Sequence, residues 1–144
     1  MKKLLFAALF ACAALFTSCT TNEGTGTEEI AGSYTGTLTI SDVDGNVSYT
    51  QEDTVFDFEA NDGFGEMVMN SVKFSAYMPV TLTITASDIP FVSSGVYEIA
   101  SVIPTVGGAP MEAYTLTNVA ISASDSSLAV EFECYGSYAK FVSK

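Results

Sequence analysis

Ser33-Tyr34-Thr35-Gly36-Thr37-Leu38-Thr39-Ile40-Ser41 is the stretch that decides the fold. Tyr34, Leu38 and Ile40, with Gly36 between them, occupy one parity, and Thr35, Thr37, Thr39 and Ser41 the other. Successive side chains of a strand point to opposite faces, so this alternation describes a strand with one buried face and one wet face, as in an antiparallel sheet. Residues 81–87 repeat the scheme around Val80, Leu82, Ile84 and Ala86. Threonine on the wet face suits a pleated, half-buried surface. From Ile30 onward, period-two alternation dominates, and no helix of more than a turn or two is expected.

Working outward, further strands are expected at residues 65–74, 96–102, 128–135 and 138–142, with Pro79, Pro90, Pro104 and Pro110 at their margins, where a missing N–H is tolerated. Asp42-Val43-Asp44-Gly45-Asn46 and Asn61-Asp62-Gly63 supply hairpin turns. Val47 and Tyr49 share one parity while Phe56, Phe58 and Ala60 share the other, so the ladder shifts phase near residues 51–54. A bulge is the economical cause. A second slip separates Tyr114 and Leu116 from Val119 and Ile121. About eight strands joined by short turns predict an all-β fold, an eight-stranded antiparallel up-and-down barrel, with a two-sheet β-sandwich as the alternative. The barrel is preferred because closure removes sheet edges that long Thr-rich strands would expose, and because bulges bend strands around it.

The N-terminal region carries a different signal. Lys2 and Lys3 precede an uncharged apolar run at residues 4–16, followed by Thr17, Ser18 and Cys19. The run is shorter than the roughly 18 to 20 residues of a permanent span and fits an export signal. Phe16-Thr17-Ser18-Cys19 resembles a bacterial lipobox, which implies lipidation of Cys19. Cleavage at Cys12 would leave only about eight apolar residues of signal, and a plain cleaved signal peptide is the alternative to lipidation. The expected organisation is a signal peptide at 1–18, a polar Gly-Thr-rich tether at 19–29 beginning with the lipidated cysteine, and a barrel domain at 30–144. The expected location is the envelope of a Gram-negative bacterium, at the outer membrane, held through lipid on Cys19. Two or three acyl chains hold a small domain persistently, whereas one does so only marginally.

Composition narrows the chemistry. All 17 acidic residues lie beyond Cys19, against only Lys73, Lys140 and Lys144, in a chain of formal net charge −12. Such a field repels nucleic acid and anionic headgroups and at most steers cationic partners, and acidity of this kind commonly serves solubility alone. There is no His, Arg or Trp, so a His-based triad, a His-based zinc site and a bidentate Arg clamp cannot be assembled. Cys134 stands in register with Leu128, Val130 and Phe132 and is expected as a buried thiol.

Ile30-Ala31-Gly32-Ser33-Tyr34-Thr35-Gly36-Thr37-Leu38-Thr39-Ile40 resembles the opening strand of the calycin-like, or lipocalin-like, domains of secreted lipoproteins in Gram-negative gut bacteria. The later order is similar too: a Thr-rich strand near 80–87, a Gly-Pro loop near 107–110 and a closing strand near 138–143. The resemblance covers about residues 30–144 and implies an eight-stranded barrel without an assigned molecular role. Lipocalins carry Gly-x-Trp in that first strand and an Arg over the indole; here Gly32-Ser33-Tyr34 replaces the first, and the chain has no Arg.

Three constellations were weighed. Asp42-x-Asp44-Gly45-Asn46 has calcium-loop residue types, but its Gly stands fourth rather than sixth, so a hairpin turn is expected. Glu52, Asp53, Asp57 and Glu59 include carboxylates of the type a glycosidase pairs, yet Asp57 and Glu59 oppose the parity of Phe56 and Phe58 and belong on the wet face. Asn46-Val47-Ser48 is a formal glycosylation sequon. No cofactor, metal or catalytic group is expected. Inward aromatics and methionines, namely Tyr34, Leu38, Tyr49, Met67, Met69, Tyr97 and Tyr114, are candidate ligand-lining residues, since an eight-stranded barrel is either filled by side chains or holds one small ligand. The sequence therefore points to a non-enzymatic, lipid-anchored barrel with two readings. The leading one binds a small apolar or amphipathic ligand in the barrel mouth, and a cavity large enough for a ligand would favour it. The other is a protein- or glycan-interaction module: an accessory subunit of a surface assembly, or a hydrolase inhibitor. A packed interior with an exposed Tyr/Phe patch would favour the second.

Overall fold

A computed structural model describes residues 30–144. The signal, Cys19 and tether expectations lie outside these residues. Ten strands follow one another: β1 (Ile30–Ser41), β2 (Val47–Asn61), β3 (Phe64–Val72), β4 (Leu82–Ser93), β5 (Val96–Val102), β6 (Thr105–Val106), β7 (Ala109–Pro110), β8 (Leu116–Ala123), β9 (Leu128–Cys134) and β10 (Ser137–Ser143). A short 3₁₀ turn, Glu112–Tyr114, precedes β8. Every pairing is antiparallel, and β1 pairs with both β2 and β10 while β3 pairs with β4. Eight strands thus close into an up-and-down barrel, with the β6–β7 hairpin inserted between β5 and β8.

The alternation in β1 does what its parity dictates. Tyr34, Gly36, Leu38 and Ile40 are buried and Thr35, Thr37 and Thr39 are not. Gly36 is required by proximity as much as by parity: a Cβ there would lie 2.1 Å from the Val142 carbonyl oxygen of β10. The phase shift expected near 51–54 is a bulge between Gly36 and Leu38 in the β1–β2 ladder, with Asp53 at φ 54°. Thr54, buried beside it, donates its hydroxyl to the Gln51 carbonyl at 3.2 Å. The second slip is also a ladder shift, between Thr117 and Ala120, with Asn118 at φ 52°.

Two boundaries differ from expectation. The strand read at 81–87 runs on to Ser93, through Pro90. That proline is tolerated because the β4–β5 ladder is confined to Phe91↔Tyr97 and Ser93↔Val96, and β4 pairs next, through Thr85 and Ile84, with β6. The strand read at 65–74 stops at Val72, and Phe74 instead folds inward from the following loop.

The interior is filled. Leu38, Ile40, Phe56, Met67, Met69, Ile84, Phe132 and Phe141 are all at 0% exposure. A void wide enough for water would leave its lining partly accessible. Phe56 stacks on Phe141 with centroids 4.0 Å apart, and Tyr97 meets Phe58 and Phe91 edge-on at 5.2 and 5.7 Å.

The two ends of the barrel are built differently. At the end where β1 begins, termed the closed end here for its short turns, strands are joined by residues 62–63, 94–95 and 124–127. Asp62 and Gly63 both have positive φ, as a two-residue hairpin of the primed type requires. At the other end, termed distal here, lie residues 42–46, 73–81, 103–115 and the turn 135–136. β1 has 12 residues, so the distal end stands on the order of 35 Å along the strand from Ile30.

Candidate functional site

Three of the distal segments converge on a groove of about 610 Å³, lined by Asp42, Val43 and Gly45 from the β1–β2 loop, Thr115 and Thr117 at the start of β8, and residues 133–138 of the β9–β10 hairpin. Register explains the convergence. Ser41 pairs with Tyr138, Tyr138 with Glu133, and Glu133 with Thr117, so one cross-strand row forms the floor. Glu133 and Tyr138 point outward because their neighbours Cys134 and Ala139 point in.

Several of the lining side chains have identifiable partners. The Asp42 carboxylate accepts the backbone N–H groups of Asp44 and Asn46, both at 2.9 Å, and the Asn46 amide at 3.4 Å. These bonds, the one from Asn46 foremost, hold its pKa below the usual carboxylate value. The loop is therefore an Asp-closed turn, as its composition predicts. Glu133 accepts from Asn118 Nδ2 at 3.1 Å. Tyr138 donates its hydroxyl to Glu131, a bond that raises the phenol's pKa and keeps it protonated. Tyr135 takes a left-handed φ of 55° followed by Gly136 at 75°, and its ring, 64% exposed, stacks on Tyr114 at 5.3 Å. A left-handed backbone is uncommon for a residue of this bulk.

Cys134 borders the groove yet is 3% exposed, and its thiol faces the Tyr114 carbonyl at 3.4 Å. Burial pushes its pKa up to about 12, so it carries almost no thiolate near neutrality. Among the described residues no group of three or more Cys, Asp or Glu side chains is placed to hold a metal ion.

Apolar exposure is concentrated at the same end. Val43 is 88% exposed, Tyr77 95% and Val80 59%, and Val47, Ile103 and Tyr135 are also open. The other end contributes Phe64 and Val92, with Val142 on the wall toward it. The distal mouth itself is stoppered by Phe74, 2% exposed, edge-on to Phe132 at 5.9 Å and 6.2 Å from Tyr114.

The residues nominated from sequence distribute along the barrel rather than around one space. Leu38, Met67, Met69 and Tyr97 are fully buried in the packed interior. Tyr34 lies toward the closed end and donates its hydroxyl to the Ser124 carbonyl at 2.6 Å. Tyr49 and Tyr114 are partly buried against the core at the distal end. Only Tyr114, through its stack on Tyr135, abuts the groove. Thr115, Thr117, Glu133, Tyr135 and Tyr138 were not singled out, because the groove draws on three separated segments and only cross-strand register reveals their row. The acidic group stays outside the barrel: Asp57 accepts from Ser33 and from Asn70 Nδ2 at 3.0 Å, and Asp53 pairs with Lys144. No family model, curated protein or solved structure matches this chain.

Proposed function

We propose that this chain is a non-enzymatic, lipid-anchored envelope lipoprotein of calycin-like architecture whose barrel acts as an interaction module, presenting its distal rim to a partner. The observation that carries this reading is the asymmetry of the barrel. Exposed Val43, Tyr77, Val80 and Tyr135 and the 610 Å³ groove share the end remote from Ile30, the residue at which a tether from Cys19 would enter. Val43 and Tyr135 line the groove together, exposed apolar groups beside a groove mark an interaction site, and loops on a rigid scaffold are where binding concentrates. The small-ligand reading is less well supported, because Leu38, Met67, Met69 and Tyr97, expected to line a cavity, are fully buried in the packed interior.

The test is photo-crosslinking in the producing cells, with a photoreactive residue at Tyr135 or, as control, at Phe64 near the closed end. Discrete adducts at position 135 and none at 64 are expected. Equal labelling at both positions, or none at 135, would sink the module reading. Cys19→Ser tests the anchor separately: the protein should leave the membrane fraction for the soluble one.

A further inference from the structure

We propose that the rim groove receives an extended lysine- or arginine-bearing segment of a partner protein. The inference rests on the interaction-module reading and deepens it. The floor carries the Glu133 carboxylate, and the wall carries Asp42, whose turn hydrogen bonds hold it ionised. Tyr135 and Tyr138, both exposed, line the same groove. Carboxylates beside exposed aromatic faces recognise a cation on an apolar stem, through charge-assisted hydrogen bonds and cation–π contact.

Among the described residues, neither Asp42 nor Glu133 takes part in an ion pair. Lys140 lies one row inward on β10 and faces Glu131 at 4.0 Å, while Lys144 pairs with Asp53. Glu133 has only the neutral Asn118 amide beside it among the hydrogen bonds formed here. Charge also selects among occupants. A second copy of a chain of net charge −12 brings the same sign to the contact, and anionic lipid is repelled for the same reason. A cationic segment is attracted, and its approach is accelerated by the field.

The experiment uses the full chain in detergent micelles and a fluorescein-labelled Lys-Val-Lys-Val-Lys peptide, with Glu-Val-Glu-Val-Glu and a panel of neutral oligosaccharides as comparators. The lysine peptide should bind and the glutamate peptide should not. Glu133→Gln, which can still accept from Asn118, should weaken the lysine peptide about tenfold, the cost of one charge-assisted contact. Glu66→Gln on the outer face of β3 should leave affinity unchanged. Raising salt should weaken the wild type more than Glu133→Gln. Absence of lysine-peptide binding, or binding indifferent to Glu133→Gln, overturns the inference. Oligosaccharide binding lost in Tyr135→Ala overturns it in favour of a glycan while the rim module stands. Failure of the crosslink at position 135 overturns both.

Discussion

Phe74→Ala tests how the distal end is closed. The ring is 2% exposed, sits edge-on to Phe132 at 5.9 Å and approaches Tyr114 at 6.2 Å, yet it hangs from residues 73–81 rather than from the barrel wall. Truncating a buried phenylalanine costs about 3 to 5 kcal/mol, the spread reflecting how far the site collapses. Loss of the edge-on contact with Phe132 and the tilted one with Tyr114 belongs at the upper part of that range, and relaxation of an irregular segment at the lower. A loss of about 3 kcal/mol is expected. With a urea slope of about 1.5 kcal/mol/M, the midpoint should fall by about 2 M. Far-UV circular dichroism follows the unfolding, and tyrosine fluorescence serves as a second probe because the chain has no Trp. The same variant should bind a hydrophobic dye that the wild type excludes, since the void opens onto the apolar interior. A midpoint shift below about 0.5 M without dye binding would refute the stopper and return the mouth to an open state.

Four further outcomes follow from the geometry. Gly36→Ala should reduce stability by at least about 2 kcal/mol in urea denaturation, because the new methyl meets backbone atoms of Val142 and Ser143 at 2.1 and 2.6 Å, which cannot rotate away; a neutral result would mean that β1 and β10 are not in this register. Cys134, with its pKa near 12, should resist iodoacetamide at pH 8 in the folded protein and react fully in denaturant; equal rates in both states would contradict its burial. Asp42 has a folded pKa below its unfolded value, so its contribution is present above the unfolded pKa, near 4, and fades as pH falls through the folded one. The acid limb of thermal stability should therefore be shallower in Asp42→Asn than in wild type, and identical limbs would refute the assignment. Hydrogen exchange should be faster across residues 98–102 than in β9, because β9 is paired on both sides, with β10 and, apart from the shift between Thr117 and Ala120, with β8, whereas β5 has only two pairings with β4; uniform protection would argue against the interrupted seam.

How much of this was legible depended on the kind of signal. Parity is a property of the chain alone, so β1 declared its buried face, and both phase slips had to become bulges wherever the hydrophobic face was to remain inside. Phe74 shows the limit of that logic. It keeps the inward parity of Val72, which made 65–74 read as one strand, but parity cannot tell a strand that continues along the wall from a chain that folds over the mouth. Pro90 failed in the opposite way. A proline reads as a margin, yet β4 carries it internally because its neighbour on that side has diverged.

The nominated ligand residues share this origin. Tyr34, Leu38, Met67, Met69 and Tyr97 were chosen for facing inward, and they do, but facing inward does not distinguish a cavity lining from a filling. That distinction is volumetric: in this barrel large rings occupy the axis, with Phe56 on Phe141 and Phe58 on Tyr97, and an eight-stranded interior is only just wide enough to be filled in this way. The groove was illegible for a different reason. Glu133 and Tyr138 are unremarkable wet-face residues until β9 and β10 are placed in register, which brings them side by side, and until the Asp42 turn is seen to rise beside them. One clue was available earlier. A two-residue connection between β9 and β10 forces Tyr135 and Gly136 to the end of a barrel, and a tyrosine there cannot be buried by the strands it joins. An exposed aromatic at a hairpin tip, beside an acidic turn, is thus the feature on which the proposed rim interface rests.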